Sequence, residues 1–223
     1  MHDRPWLQRA WYFLISQLAL MSFTITGGLR AGGRNNIPAT GGLLLVSNHL
    51  SYLDVFVLGI SCTRLLNYVA RSTLFFPPLG SLIRSVGGFP IQRDGMGASG
   101  LKETLRRLRN GGVVILFPEG TRSPDGRLQE LKSGISVLAA RANVPILPAA
   151  VAGTFGAWSR NQKFPRPHPV RVEYGKPIQP EELAGLKTEA ITALIRDRID
   201  QCHREALKGL ARDTKSFLPG RTS

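Results

Sequence analysis

An α/β fold is predicted for this chain by two observations. Apolar runs of strand length alternate with amphipathic stretches of helical length, and Gly and Pro residues separate them. Most of the apolar runs are continuous, as expected of strands that are buried on both faces of a parallel sheet. The 223 residues suffice for one substantial core and match the size of a single domain.

Six apolar runs are the predicted strands, and four stretches are the predicted helices. The strands are 43–47, 66–70, 87–91, 113–117, 145–151 and 170–174. The helices are 53–60, 100–109, 134–142 and 181–210. In the last of these, Leu and Ile recur at helical spacing, so we expect it to pack back onto the sheet.

The N-terminal segment carries a nearly uncharged apolar run, residues 11–25. A membrane-spanning helix needs about 20 apolar residues, and this run is shorter and is interrupted by Ser16 and Gln17. We therefore expect residues 1–30 to be a membrane-associating helix that lies in or dips into one leaflet. An ordinary core helix is the alternative. A folded domain is expected over 31–212 and a loose tail over 213–223.

The charge balance points to anionic partners. Twenty-nine Lys and Arg face fifteen Asp and Glu, which leaves a formal charge of +14. Nucleic acid is disfavoured, because neither a recognition motif nor aromatics interleaved with basic residues stand out. Cys62 and Cys202 lack metal-ligand spacing, so neither a disulfide framework nor a zinc site is supported. Phosphate-bearing lipids or cofactors are the favoured partners, and a reducing compartment fits.

The segment 47–54, SNHLSYLD, places His49 directly after an apolar strand. A rigid strand can aim such a group while the following loop leaves it reachable. Neutral imidazole can accept a hydroxyl proton near neutral pH. Asp54, about one helical turn further on, could hold the other ring nitrogen. The alternative is that Ser51 and Asp54 form a capping box that only starts a helix.

A second polar cluster, 117–123 (FPEGTRS), also follows a buried strand. Since ligands collect at the carboxyl ends of parallel strands, both clusters are expected to share one crevice. Arg122 suits a phosphate because its planar fork makes paired bonds. Gly120 would let the backbone approach a ligand closely. Turn formation alone is the alternative explanation.

Two further segments bear on ligand binding. The run GGFPIQRD, 87–94, carries Arg93 next to its last residue, Asp94. Arg93 is either a second phosphate ligand or a surface ion-pair partner of Asp94. Residues 95–100 spell G-x-G-x-x-G before a predicted helix, which would fit a dinucleotide site. Polar residues separate this motif from its strand, so the nucleotide interpretation is the weaker one.

The ordered segments NHLSYLD, GGFPIQRD, FPEGTRS and VPILPAAV resemble the four sequence blocks of the glycerol-phosphate and lysophosphatidate acyltransferase family. This likeness implies a mixed sheet flanked by helices, an acyl-CoA or acyl-carrier-protein donor, and a lysophospholipid acceptor. It also implies a membrane-associated enzyme of phospholipid biosynthesis that acts at an anionic cytoplasmic membrane face without a cofactor or metal.

The resemblance also assigns roles to individual residues. His49 takes the position of the catalytic base and Asp54 that of its orienting carboxylate. The acceptor-binding positions are Arg93, Glu119, Gly120 and Arg122, with Thr121 assigned to the same site. Three alternatives remain open: another lysolipid acceptor, a lipid- or phosphate-binding protein without turnover, and a dinucleotide oxidoreductase.

Overall fold

The computed structural model describes residues 6–7, 10–14, 17, 28–91 and 97–217. The strands are β1 (Leu29–Gly32), β2 (Leu43–Ser47), β3 (Leu66–Arg71), β4 (Phe89–Ile91), β5 (Val113–Leu116), β6 (Ile146–Ala152) and β7 (Val170–Tyr174). The helices are α1 (Asp54–Ser61), α2 (Leu79–Ser85), α3 (Ala98–Arg109), α4 (Gly134–Ala142), α5 (Thr154–Trp158), α6 (Pro180–Leu183) and α7 (Thr188–Phe217).

The strands form one sheet in the order β1-β7-β6-β2-β5-β3-β4. Every neighbouring pair is parallel except β6 with β7, which is antiparallel. The predicted α/β fold with a mixed, largely parallel sheet flanked by helices is thereby confirmed. All six predicted strands are present. Strand β1 and helices α2 and α5 were not predicted; β1 has only four residues and no continuous apolar run. The predicted helix 181–210 is divided into α6 and α7.

Helices cover both faces of the sheet and bury the central strand β2 completely. Leu43 and Leu45 belong to one core cluster, which also contains Val57 and Leu58 of α1. The alternate residues of β2 face a second cluster with α3, α4 and α7. This two-sided burial explains why the strand is a continuous apolar run rather than an alternating one.

The described N-terminal residues, 6–7, 10–14 and 17, are helical. Trp11 and Tyr12 contact the rest of the chain, and the Trp11 indole donates to the Ser85 hydroxyl at 3.0 Å. Tyr12 is buried, and its hydroxyl lies 2.9 Å from that of Tyr68. Gly59 leaves the room for this contact, because a Cβ there would clash with Tyr68 Oη. No helix among the described residues is both long enough and apolar enough to cross a membrane. Membrane association of residues 1–30 therefore stays a prediction.

The C-terminal helix α7 packs on β6 and β7 through its apolar face, as the sequence predicts. Residues 213–217, which the sequence assigns to a loose tail, continue this helix. Asp213 explains part of the extension, because its carboxylate accepts a hydrogen bond from Arg171 on β7 at 3.0 Å. Residues 218–223 lie outside the described part of the chain.

Candidate active site

Three adjacent parallel strands bring the polar clusters to one edge of the sheet. Strand β2 leads to His49, β5 leads to the 117–123 turn, and β6 leads to Thr154 at the start of α5. Strands β5 and β6 lie on either side of β2, so the carboxyl ends of the three strands are neighbours at this edge. Ligands of parallel α/β sheets bind in the crevice outside such strand ends. The sequence predicts that the two polar clusters lie together because ligands collect at the carboxyl ends of parallel strands. In the structure they are in contact, since the Ser123 amide donates to the His49 carbonyl at 2.7 Å.

His49 and Asp54 form a hydrogen-bonded pair. The imidazole Nδ1 lies 2.9 Å from Asp54 Oδ2, and the His49 side chain keeps 18% of its surface exposed while Asp54 is fully buried. The His49 ring also stacks on Phe117, with centroids 4.0 Å apart and planes at 16°. The carboxylate and the phenyl ring together fix the imidazole in one orientation, which leaves Nε2 as its remaining proton acceptor.

Asp54 collects four hydrogen-bond donors. Its Oδ2 accepts the imidazole and the amides of Leu50 and Ser51, and its Oδ1 accepts the Thr154 hydroxyl at 2.7 Å. Asp54 thus holds His49 and also accepts the Ser51 amide, but the reciprocal capping box is not formed, because Ser51 Oγ accepts the Leu53 amide instead of the Asp54 amide. A carboxylate with this many donors acts as an acceptor, so Nδ1 carries the proton that it donates to Asp54.

Thr154 is a site residue that the sequence reasoning missed. Its side chain is fully buried, and it lies 100 positions from Asp54 along the chain. The sequence feature that could have indicated Thr154 is its position directly after the apolar run of β6 and Gly153. In the structure Gly153 has a φ of 89°. A hydroxyl directly after a buried strand has the same placement as His49 after β2.

Glu119 links the loop after β2 to the loop after β5. Its Oε1 accepts the His49 amide at 2.7 Å and its Oε2 accepts the Gln129 amide at 2.8 Å, and only 1% of the residue is exposed. Burial raises the pKa of Glu119, and the two amide donors oppose that shift. The resemblance assigns this residue to acceptor binding, whereas its carboxylate oxygens are both occupied by backbone donors.

Arg122 presents a cation to the crevice on an aromatic support. Its guanidinium carbon lies 3.4 Å from the centroid of the Tyr52 ring, which in turn contacts the Trp158 ring at 5.3 Å. Its NH1 is buried and has no hydrogen-bond partner among the described residues. Because an unpaired buried guanidinium nitrogen is costly, this geometry suits a bound anion.

The turn between Glu119 and Arg122 has the conformation that the sequence suggests. Gly120 has a φ of 72°, and the Thr121 side chain is exposed. The stem of Lys132 passes over Gly120, which places a second cation beside this turn. Arg93 lies outside the described residues, and so does Gly95, the first glycine of the G-x-G-x-x-G motif. The second phosphate ligand and the dinucleotide motif therefore both stay predictions.

Asn48 fixes the register between the strand ends. Its side-chain amide donates to the Val151 carbonyl at 3.0 Å and accepts the Val151 amide at 2.8 Å. A polar side chain thus continues the β2–β6 hydrogen-bonding pattern beyond the last strand residue. This explains the buried amide next to His49 and keeps the loop that carries His49 at a fixed distance from β6.

The fold and this site define an acyltransferase. Residues 28–152 match the family model described as Acyltransferase, which covers more than half of the chain. The chain belongs to this family and is by class an O-acyltransferase. The match contains His49, Asp54, Glu119 and Arg122, whereas Thr154 and Trp158 lie just beyond its end.

Several proteins of known name are similar to this chain. The 1-acyl-sn-glycerol-3-phosphate acyltransferase of Bacillus subtilis is 26% identical over 82% of this chain and 89% of its own length. The protein of the same name from Limnanthes alba is 32% identical over 69% of this chain, which spans 56% of that relative. The lyso-ornithine lipid O-acyltransferase of Rhizobium meliloti is 33% identical over 66% of this chain and 48% of that relative.

A solved structure has the same fold over nearly the whole chain. The crystal structure of the 1-acyl-sn-glycerophosphate acyltransferase PlsC from Thermotoga maritima superposes with a TM-score of 0.77 at 25% sequence identity. The match covers 92% of this chain and 84% of that one.

Proposed function

We propose that this protein transfers a fatty acyl group from acyl-CoA or acyl-carrier protein to the free hydroxyl of a lysophospholipid such as lysophosphatidate. The carrying observation is the His49–Asp54 pair, which lies on the same edge of the sheet as Arg122, whose NH1 has no hydrogen-bond partner among the described residues. The base supplies the proton acceptor that a hydroxyl needs, and the cation supplies a partner for the acceptor's phosphate.

The chemistry follows from the orientation of the imidazole. His49 Nε2 takes the proton of the acceptor hydroxyl as that oxygen bonds to the thioester carbonyl carbon. Asp54 stabilises the imidazolium that forms. When the tetrahedral intermediate collapses, the carbon–sulfur bond breaks and the departing thiolate takes the proton from Nε2. The ester is formed directly, the base returns to its neutral form, and no acyl-enzyme is required.

The acceptor is proposed from charge. A planar guanidinium can form paired bonds with a phosphate. Arg122 NH1 has no hydrogen-bond partner among the described residues, and the guanidinium carbon lies over the Tyr52 ring. The names of the Bacillus and Limnanthes relatives support lysophosphatidate. The name of the Rhizobium relative supports a second candidate, acylation of another lysolipid by the same base.

Attachment to the cytoplasmic face of an anionic membrane is part of the proposal. The formal charge of +14 and the exposed side chains of Trp6, Leu7, Phe13 and Leu14 support it. A lipid acceptor and a lipid product are also easier to exchange at a bilayer than in water.

Product analysis tests the proposed reaction. The purified chain is incubated with a mixed pool of lysolipids and either acyl-CoA or acyl-carrier protein, and the products are identified by mass spectrometry. We expect phosphatidate to form, and the His49→Ala variant to form it about 10² to 10⁴ times more slowly. Acylation of a different lysolipid would replace the proposed acceptor. Binding of lysolipid without any acylated product would show a non-catalytic binding protein.

A further inference from the structure

A loop beside the active site has the composition of a membrane contact. Residues 159–169 join α5 to β7, and we call them the basic-aromatic loop. Phe164 within it is 78% exposed, and Arg160, Lys163 and Arg166 surround it in the sequence. None of these three cations forms an ion pair within the described part of the chain. No acidic residue occurs anywhere in 131–172.

The basic-aromatic loop is held in a defined shape by its own hydrogen bonds. The Arg166 amide donates to the Ala157 carbonyl at 2.8 Å, which closes the base of the loop. Gln162 is bound three times: its side-chain oxygen accepts the Ser159 amide, its amide donates to the Ser159 carbonyl, and its carbonyl accepts the Trp158 indole. Phe164 is therefore exposed on a loop whose backbone is held by hydrogen bonds.

The same loop is tied to the catalytic segments. The Arg160 NH1 of the loop lies 3.4 Å from the Arg122 carbonyl, and the carbonyl of Trp158, the residue directly before the loop, accepts the Ser51 hydroxyl at 2.6 Å. Whatever binds the loop is thus brought next to the crevice that contains Arg122. The relation to the site is structural and does not depend on which acceptor is used.

We propose that the basic-aromatic loop docks the active-site mouth on an anionic lipid bilayer, with Phe164 entering the interface and Lys163 and Arg166 contacting lipid phosphates. One protruding aromatic between cations suits a bilayer, where an amphipathic surface inserts its apolar side chain among headgroups. It suits a protein partner less, because a stable protein interface needs about 800 Å² on each side. This docking rests on the proposed function in one respect: a lipid acceptor explains why the active site would face the bilayer.

The test places a fluorescent reporter on the loop and uses no substrate, so it is independent of the proposed reaction. Cys62 and Cys202 are both buried, and burial raises the pKa of both thiols, that of Cys202 to about 12. A cysteine introduced at the exposed position Asn161 can therefore be labelled selectively with an environment-sensitive dye. The matched control carries the label at Leu207, which is exposed on α7.

Vesicles of phosphatidylglycerol and phosphatidylcholine should shift the dye at position 161 to the blue, and spin-labelled lipids should quench it. The dye at position 207 should not respond. Adding Phe164→Ser should abolish the shift, and Lys163→Glu with Arg166→Glu should weaken vesicle binding about tenfold or more, since each cation contributes about fivefold at an anionic surface. These three positions lie outside the catalytic and acceptor-binding groups, so thiol release with a soluble short-chain acceptor should be unchanged.

Three results would overturn the inference. In the first, the emission of the dye at position 161 does not shift when vesicles are added. In the second, the emission shifts equally on uncharged phosphatidylcholine vesicles and in the variant with both charge reversals. In the third, the dye responds only to acidic acyl-carrier protein without vesicles, which would identify a protein partner instead. Failure of lysolipid acylation with a normal dye response would refute the proposed reaction and leave the docking surface intact.

Discussion

The hydroxyl of Thr154 donates to Asp54 Oδ1 at 2.7 Å, on the carboxylate oxygen that His49 does not use. Both residues are fully buried. This contact joins the end of β6 to the start of α1, and it leaves Asp54 Oδ2 free for the imidazole and two backbone amides. The orientation of the His49 imidazole thus depends on a residue that follows a different strand.

Thr154→Val should lower kcat about tenfold while leaving KM nearly unchanged. Valine keeps the shape of the side chain but leaves Asp54 Oδ1 buried without a donor, which costs about 1–3 kcal/mol. Thr154→Ser retains the hydroxyl and is the matched control. Steady-state kinetics of thiol release measure both. Equal losses in the Val and Ser variants would indicate a packing role for the methyl group rather than a role for the hydroxyl.

His49→Ala should reduce kcat by about 10² to 10⁴, the usual contribution of a positioned general base. The side chain is partly exposed and Asp54 keeps its other donors, so the fold should survive. Circular dichroism and the thermal midpoint provide the check on folding. A wild-type rate of thiol release with lysophosphatidate would remove His49 from the mechanism.

Glu119→Gln should destabilise the fold by about 2 kcal/mol and also lower kcat. Glutamine has one acceptor oxygen where the carboxylate has two, so the His49 amide or the Gln129 amide loses its partner. Glu130→Gln is the control, because Glu130 is exposed and lies one residue after Gln129. Urea unfolding measures the stability. An unchanged stability with a raised KM would restore Glu119 to the acceptor site.

The strand-end positions of His49 and Arg122 could be predicted from sequence, because buried parallel strands are continuous apolar runs that end visibly. The order of the strands could not, since no local pattern records that β6 and β5 lie on either side of β2. Thr154 was missed for that reason. Its contact with Asp54 exists only because β6 is the neighbour of β2.

The role of Glu119 was hidden by a different cause. Its partners are main-chain amides, and a main-chain amide has the same chemistry at almost every position of a sequence. A conspicuous acid in a polar turn therefore looked like a ligand for substrate. The Tyr52–Arg122 stack was hidden similarly, because the two residues come from separate turns that meet only in the folded sheet.

Tyr52→Leu should raise the KM for lysophosphatidate about threefold or more with little change in kcat. The ring supports the Arg122 guanidinium by a cation–π contact, which contributes about 0.5–2 kcal/mol. Tyr52→Phe keeps the ring and should behave as the wild type. An acceptor without a phosphate should be insensitive to all three side chains. A kcat loss with both acceptors would place Tyr52 in support of His49 instead.

Gly120→Ala should destabilise the folded chain by about 1 kcal/mol through its backbone alone. The residue has a φ of 72°, where a Cβ crowds the neighbouring carbonyl oxygen. The surrounding space is adequate, because the nearest atom to an added Cβ would be Lys132 Cγ at 3.5 Å. The matched control is Gly134→Ala at the start of α4, where nothing lies within 4 Å and alanine favours the helix. Chemical denaturation should therefore show opposite signs for the two variants. A stabilised Gly120→Ala chain would mean that the turn folds without a left-handed residue at position 120.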